Sequence, residues 1–140
     1  MDLHPVNRLI ILQKNRLWRH MMWQIVSSGS VKAFWVNNKD VINTLKIVAV
    51  QAKQKFPEII EIWLFGSFAK GEATGISDID IFIVAQTKID NPLERIKPYY
   101  NYFSDCLKIA VDIIVAKSDE KKYHEEMLND AILLAYMIIS

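Results

Sequence analysis

The chain has 140 residues, of which 51% are apolar and 24% charged, a composition typical of one folded domain and not of a disordered or fibrous chain. Its formal net charge of +1 gives no indication of nucleic-acid binding, and Arg or Lys interrupts every apolar run short of about 18 residues, which excludes a membrane span. A single cysteine, Cys106, excludes an internal disulfide, so we expect a reducing, cytoplasmic compartment.

Residues 1–36 differ in composition from the rest of the chain. They carry five basic side chains against one acidic one, and three of the four tryptophans. Residues 8–26, wound as a helix, would place apolar side chains on one side and arginines on the other. Such a helix can bind a membrane surface, an acidic partner or nucleic acid, or it can pack on its own domain or precede a later start at Met21 or Met22. We therefore predict a basic amphipathic N-terminal extension, 1–36, and a folded domain, 37–140.

The folded domain begins with a helix and two strands. Asn38 is a suitable N-cap, and apolar residues recur at helical spacing from Val41 until Pro57 ends the pattern. Apolar residues then predict a strand at Ile59–Phe65 and a second strand at Asp78–Val84. A connection this short favours neighbouring strands of a mixed sheet over a long parallel crossover.

A helix and a third strand follow. Asn91-Pro92 is a helix-start signal, but Pro98 would interrupt a helix, so we expect a short turn and then a helix over residues 98–107. The aromatic side chains of this helix are expected in the core and not against a nucleotide base. Apolar residues then predict a third strand at Ile109–Val115.

The sequence of the C-terminal part predicts a final helix. Ser118 is a suitable N-cap, and the acidic residues after it match the helix dipole. The run Ile132–Ile139 is apolar on every side, and in a domain of this size one side of such a helix would face another protein. We expect this helix, around Leu134 and Ile138, to carry an interface with a partner or with a second copy.

A Gly-Ser turn and two aspartates form the most informative pattern. Gly66 and Ser67 follow the first strand, and ten residues later Asp78 and Asp80 open the second. Because side chains alternate along a strand, the two carboxylates share a face and repel each other, and a hard cation such as Mg²⁺ would remove the repulsion. Gly66 lets a ligand approach the backbone, and the amides of the turn can point at an anion. The pattern is not a P-loop, because Glu72 stands where its lysine is required.

This segment resembles the signature of the DNA polymerase beta-type nucleotidyltransferase superfamily, most closely its minimal nucleotidyltransferase (MNT) branch, over roughly Asn38 to Tyr136. The resemblance implies an α/β fold in which a small mixed β-sheet is covered by helices, as in the polymerase beta palm. It also implies that the Gly-Ser turn holds the triphosphate of ATP. The aspartate pair, with a third carboxylate from a later strand, would hold Mg²⁺.

Asp112 stands among six apolar residues of a strand, where an unpaired carboxylate would cost several kcal/mol. Since the resemblance implies that the third carboxylate comes from such a strand, we assign it to Asp112. The alternatives are an edge-strand aspartate that faces water or one paired with a lysine. The chain departs from its relatives at Phe68 and Lys70, where arginines are frequent, and Lys70 keeps the charge without the bidentate fork. The predicted catalytic and metal-binding residues are Asp78, Asp80 and Asp112, and the predicted nucleotide-binding residues are Gly66, Ser67 and Lys70.

The resemblance also implies a reaction and a partner. AMP would pass from ATP to a hydroxyl group, and pyrophosphate would leave. MNT proteins of this size commonly pair with a helical HEPN toxin, so we expect an antitoxin that adenylylates a HEPN-type partner, with self-association through the C-terminal helix as a further contact. Two alternatives stay open. One is a non-catalytic module that sequesters its partner, and the other is a small-molecule transferase of the antibiotic-modifying kind, which usually needs a larger second domain.

Overall fold

A computed structural model describes residues 38–73, 78–107 and 109–137. In chain order the elements are α1 (Asn38–Lys55), β1 (Ile59–Phe65), α2 (Ser67–Lys70), β2 (Ile79–Ala85), α3 (Pro92–Leu107), β3 (Val111–Ala116), a 3₁₀-helix (Ser118–His124) and β4 (Ile132–Tyr136). The predicted extension, residues 1–36, lies outside the described residues. Within the described part of the chain, no helix combines the length and apolar character needed to cross a bilayer.

The four strands form one mixed sheet in the order β3-β2-β1-β4. β1 pairs antiparallel with both β2 and β4, whereas β2 and β3 run parallel. The predicted α/β class, with a small mixed sheet and helices, is therefore confirmed. β1 and β2 are neighbours, as the short connection between them predicts.

The two long helices cover one face of this sheet. The predicted apolar positions of α1 are buried, with Leu45, Val48 and Ala52 at 1% exposure or less. α3 contributes Phe103 and Leu107 to the same core, and Tyr99 and Tyr102 are buried with them. The aromatic side chains of α3 therefore pack in the core, as expected, except Tyr100, which is exposed.

The predicted interruption at Pro98 is wrong, because α3 runs unbroken from Pro92 through Pro98 to Leu107. The helix starts at the Asn91-Pro92 signal and not at residue 98 as predicted, and the Asn91 side chain caps it by accepting a 2.9 Å hydrogen bond from the Leu93 amide. A proline inside a helix costs about 3 kcal/mol. Here the burial of the α3 face that carries Phe103 outweighs this local cost, since each buried aromatic side chain contributes on the order of 1.5–3 kcal/mol.

The predicted C-terminal helix is also wrong. A short 3₁₀-helix starts at Ser118, where the helix-start signal lies, but the apolar run after it forms strand β4 beside β1. A short apolar run fits a buried strand as well as a buried helix, and here the free edge of β1 decides between them. Leu134 is buried in the core, so it cannot serve a helical interface, and Ile138 lies outside the described residues.

The 3₁₀-helix lies against the second face of the sheet, near Phe82, Val84 and Ala116. Lys121 of this helix forms a 2.8 Å ion pair with Glu61 of β1 and lies over the ring of Trp63. His124 of the same helix packs against the ring of Phe82. These contacts cover the middle of the second face, while side chains at the starts of β2 and β3 on that face stay accessible.

Candidate active site

The Gly-Ser turn joins the end of β1 to α2 in an unusual backbone conformation. Gly66 has φ 76° and ψ −154°, a region that is open almost only to glycine. One turn later the Lys70 amide donates a 3.2 Å hydrogen bond to the Gly66 carbonyl oxygen. The first amides of such a turn have no acceptor within the helix, so the backbone here offers donors to an anion.

Phe68 and Lys70 have different positions within this turn. Phe68 is 1% exposed and packs in the main core, so it fixes the turn to the domain and makes no contact with a ligand outside. Lys70 is exposed, and Gly71, in the left-handed conformation with φ 74°, ends the helix directly after it. Of Phe68 and Lys70, only the exposed Lys70 is therefore open to a phosphate ligand.

The three predicted carboxylates lie at one end of the sheet, beside the turn. Asp80 of β2 is in register with Phe65 of β1 on one side and with Asp112 of β3 on the other. Residues in register on neighbouring strands share a face, and neighbouring strands are about 4.8 Å apart. Asp78 directly precedes β2; it and Asp112 are exposed, and Asp80 is half-buried. The structure thus brings together residues that lie more than thirty positions apart in the chain.

The carboxylates repel one another. Burial raises the pKa of Asp80, and the negative charges of Asp112 and Asp78 raise it further. Among the described residues, no lysine or arginine forms an ion pair with any of the three. This donor set suits a hard divalent cation, which would neutralise the repulsion. In the described part of the chain, no three acidic, histidine or cysteine side chains could hold a metal ion as they stand, so binding of a cation would require these carboxylates to move closer together.

Gly66 and Asp80 are in direct contact, which the sequence pattern did not predict. A Cβ atom placed on Gly66 would lie 2.0 Å from Asp80 Oδ2. Because Gly66 has no Cβ atom, the Asp80 carboxylate has room to lie against the turn. The sequence pattern also did not predict that Phe65 lies in register with Asp80, although antiparallel pairing of β1 and β2 implies it.

Replacing Gly66 with Ala should impair both stability and nucleotide binding. The backbone conformation disfavours a side chain by about 1–3 kcal/mol, and the new methyl group displaces the Asp80 carboxylate. Thermal unfolding and ATP titration measure the two effects. Gly71→Ala is the matched control, since it changes the other positive-φ glycine of α2 and should lower stability while ATP binding is kept. Equal ATP binding by wild type and Gly66→Ala would contradict this account of the turn.

Comparison with known proteins gives a family match and several similar proteins. The family described as "Polymerase beta, Nucleotidyltransferase" matches residues 46–136. The chain is 34% identical over 83 residues to "Putative protein adenylyltransferase MJ0126" of Methanocaldococcus jannaschii, which covers 59% of this chain and 82% of that protein. A second protein of that organism, "Putative protein adenylyltransferase MJ1217", is 33% identical over 81 residues, or 58% of this chain and 80% of that protein.

Solved structures are similar as well. A crystal structure described as "a putative nucleotidyltransferase from Sulfolobus solfataricus" has a TM-score of 0.52 and 25% identity, covering 73% of this chain and 90% of that chain. A crystal structure described as "the toxin-antitoxin with AMP-PNP" has a TM-score of 0.50 and 22% identity, covering 66% of this chain and 73% of that chain. The second likeness is one of fold alone.

Proposed function

The chain belongs to the polymerase beta nucleotidyltransferase family, and from this premise we propose that it transfers AMP from ATP to a hydroxyl group of a partner protein. The observation that carries the proposal is the contact of the Gly66 turn with Asp80, which is itself in register with Asp112. A triphosphate on the turn would lie directly beside the carboxylates. That arrangement serves phosphoryl chemistry, in which positioning and charge stabilisation supply most of the catalysis.

Each predicted residue has a role in this scheme. The turn at Gly66 and Ser67 binds the phosphates through backbone amides, and Lys70 adds a positive charge from the end of α2. Asp78 and Asp80 would hold Mg²⁺, which would offset part of the negative charge of the triphosphate. Asp112 comes from a separate strand and accepts the proton of the attacking hydroxyl group. The new bond joins the acceptor oxygen to the α-phosphorus, and the bond to the pyrophosphate breaks.

The acceptor is proposed to be a protein. The proposal is supported by the names of the two relatives, each printed as "Putative protein adenylyltransferase". The HEPN-type toxin partner, with this chain as the antitoxin, is proposed from the sequence resemblance, and a structure described as a toxin-antitoxin complex has a similar fold. The site opens on the second face of the sheet, where a partner can reach Asp112.

Binding of Mg²⁺ and ATP tests the nucleotide half of this proposal. Calorimetric titration of the wild type should give ATP binding that strengthens at least about tenfold when Mg²⁺ is present, since the ion removes the repulsion between carboxylates and triphosphate. The double variant Asp78→Asn and Asp80→Asn should lose this Mg²⁺ dependence. The matched control is Asp90→Asn with Asp119→Asn, which removes two exposed carboxylates at the other end of the sheet. If the double site variant binds Mg²⁺-ATP like the wild type, the nucleotide site lies elsewhere.

A further inference from the structure

The strand β4 forms an edge of the sheet. It pairs with β1 on one side, and no strand in the described part of the chain lies on its other side. Native proteins protect edge strands from pairing with another chain by several devices, among them charged residues, proline, short length and bulges. The sequence of β4, Ile132-Leu133-Leu134-Ala135-Tyr136, is short and its register with β1 shifts once, but it contains no charged residue and no proline. This edge is therefore chemically suited to accept another strand.

A groove of about 490 Å³ runs along the same edge, between α1 and β4. Its lining residues are Val50, Lys53, Gln54, Leu134, Ala135 and Tyr136. The groove lies on the far side of β1 from Asp80, so it is not part of the candidate active site. Tyr136, at its end, is 57% exposed, a large aromatic surface that nothing in the described residues covers.

The side chain of Lys53 indicates which charge a chain bound in this groove would carry. Burial lowers the pKa of Lys53, because its ammonium group is partly removed from water. No acidic side chain of the described residues forms an ion pair with it. A partly desolvated cation at the rim of an apolar groove fits an occupant that combines an extended apolar strand with a negative charge.

A second copy of the chain meets both requirements. Its β4 is an apolar strand of equal length, and its Asp130 is an exposed acidic residue two positions before that strand. In an antiparallel pair of strands the start of one lies beside the end of the other. Lys53 lies beside the C-terminal part of β4, so antiparallel pairing brings Asp130 of the second copy to Lys53, and the two-fold symmetry repeats the contact.

We propose that two copies of this chain pair their β4 strands antiparallel across a two-fold axis, joining their sheets into one, with Lys53 of each copy facing Asp130 of the other. The candidate active sites then lie at opposite ends of the joined sheet and stay open. The dimer is therefore independent of the proposed reaction.

Sedimentation velocity of the full chain tests the dimer. The wild type should sediment as a dimer that dissociates on dilution. Lys53→Glu and Asp130→Lys should each weaken association at least about tenfold, because like charges then meet across the axis. The double variant, Lys53→Glu with Asp130→Lys, should restore it. Lys88→Glu, an exposed charge reversal away from this edge, is the matched control and should leave association unchanged.

Hydrogen exchange gives a readout that does not depend on any variant. Amides of β4 should exchange more slowly at concentrations where the dimer forms, whereas amides of β3, the other edge of the same sheet, should not change with concentration. A wild type that stays monomeric at every concentration overturns the proposal. This result is expected if another segment of the chain or a different protein occupies the groove. A dimer that the double charge reversal does not restore, or one that protects β3 instead of β4, overturns it as well.

Discussion

Replacing Asp80 with Asn should abolish nucleotidyl transfer and at the same time stabilise the ligand-free protein. The loss of transfer should be at least about 10³-fold, because the variant loses the half-buried carboxylate that lies against the Gly66 turn. The gain in stability follows from the raised pKa of Asp80, which burial and the charges of Asp112 and Asp78 cause. Asn keeps the shape of the side chain and removes the charge that these neighbours oppose.

The pH dependence of this stability difference has a definite sign. Because the pKa of Asp80 is higher in the folded protein than its ordinary value of 3.8, the charged form opposes folding, and the cost appears as pH rises through the titration. The melting temperatures of wild type and Asp80→Asn should therefore differ at neutral pH and converge in acid. Thermal unfolding across this pH range measures it, with Asp105→Asn, an exposed aspartate of α3, as the control. A variant less stable than the wild type at neutral pH would show that Asp80 is held by a partner and not repelled.

Replacing Asp112 with Asn should remove transfer while ATP still binds. Asp112 enters from β3, on the side of Asp80 away from the turn, and in the proposed mechanism it acts on the acceptor hydroxyl group and not on the triphosphate. A group that acts mainly in the transition state changes the rate much more than the affinity for the substrate. We expect a rate loss of about 10²–10⁴-fold, the range for a general base, with ATP affinity within a few fold of the wild type.

Single-turnover kinetics and ATP titration of the same preparation separate these two effects. Asp78→Asn is the informative comparison, since it changes another exposed carboxylate of the cluster but should weaken ATP binding together with the rate. If Asp112→Asn loses ATP binding and keeps the rate at saturation, the roles of the two aspartates are exchanged.

The placement of the Gly-Ser turn beside Asp78 and Asp80 could be predicted from short-range patterns, whereas the roles of these residues stay a prediction. The Gly-Ser turn, the two aspartates one residue apart and the strands around them lie within about 25 residues and follow from strand alternation. The burial that we expect for Asp112 from its apolar neighbours is wrong, because β3 is an edge strand of the sheet and Asp112 is exposed. The register that sets Asp112 beside Asp80, and the contact of Gly66 with Asp80, depend on strand pairing, which local patterns do not specify.

Two predicted elements are wrong because packing outweighs the local sequence signals. Pro98 is a strong local signal against a helix, yet α3 continues through it because its apolar face packs on β3 and α1. The run Ile132–Tyr136 has no periodicity that separates strand from helix, and only the free edge of β1 makes it a strand. Because of this second error, the predicted interface is placed on a helix, whereas the structure places Leu134 in an edge strand of the sheet.

Transfer of label from ATP to a partner protein tests the central claim most directly. The chain is purified with the partner that it binds in its native host and incubated with Mg²⁺ and ATP labelled at the α-phosphate; parallel reactions contain Asp80→Asn, Asp112→Asn or ATP labelled at the γ-phosphate. The account predicts α-label on the partner with the wild type, almost none with either variant, and none from γ-labelled ATP. A wild type that binds its partner and Mg²⁺-ATP but transfers no label would contradict the account and indicate a non-catalytic binding module.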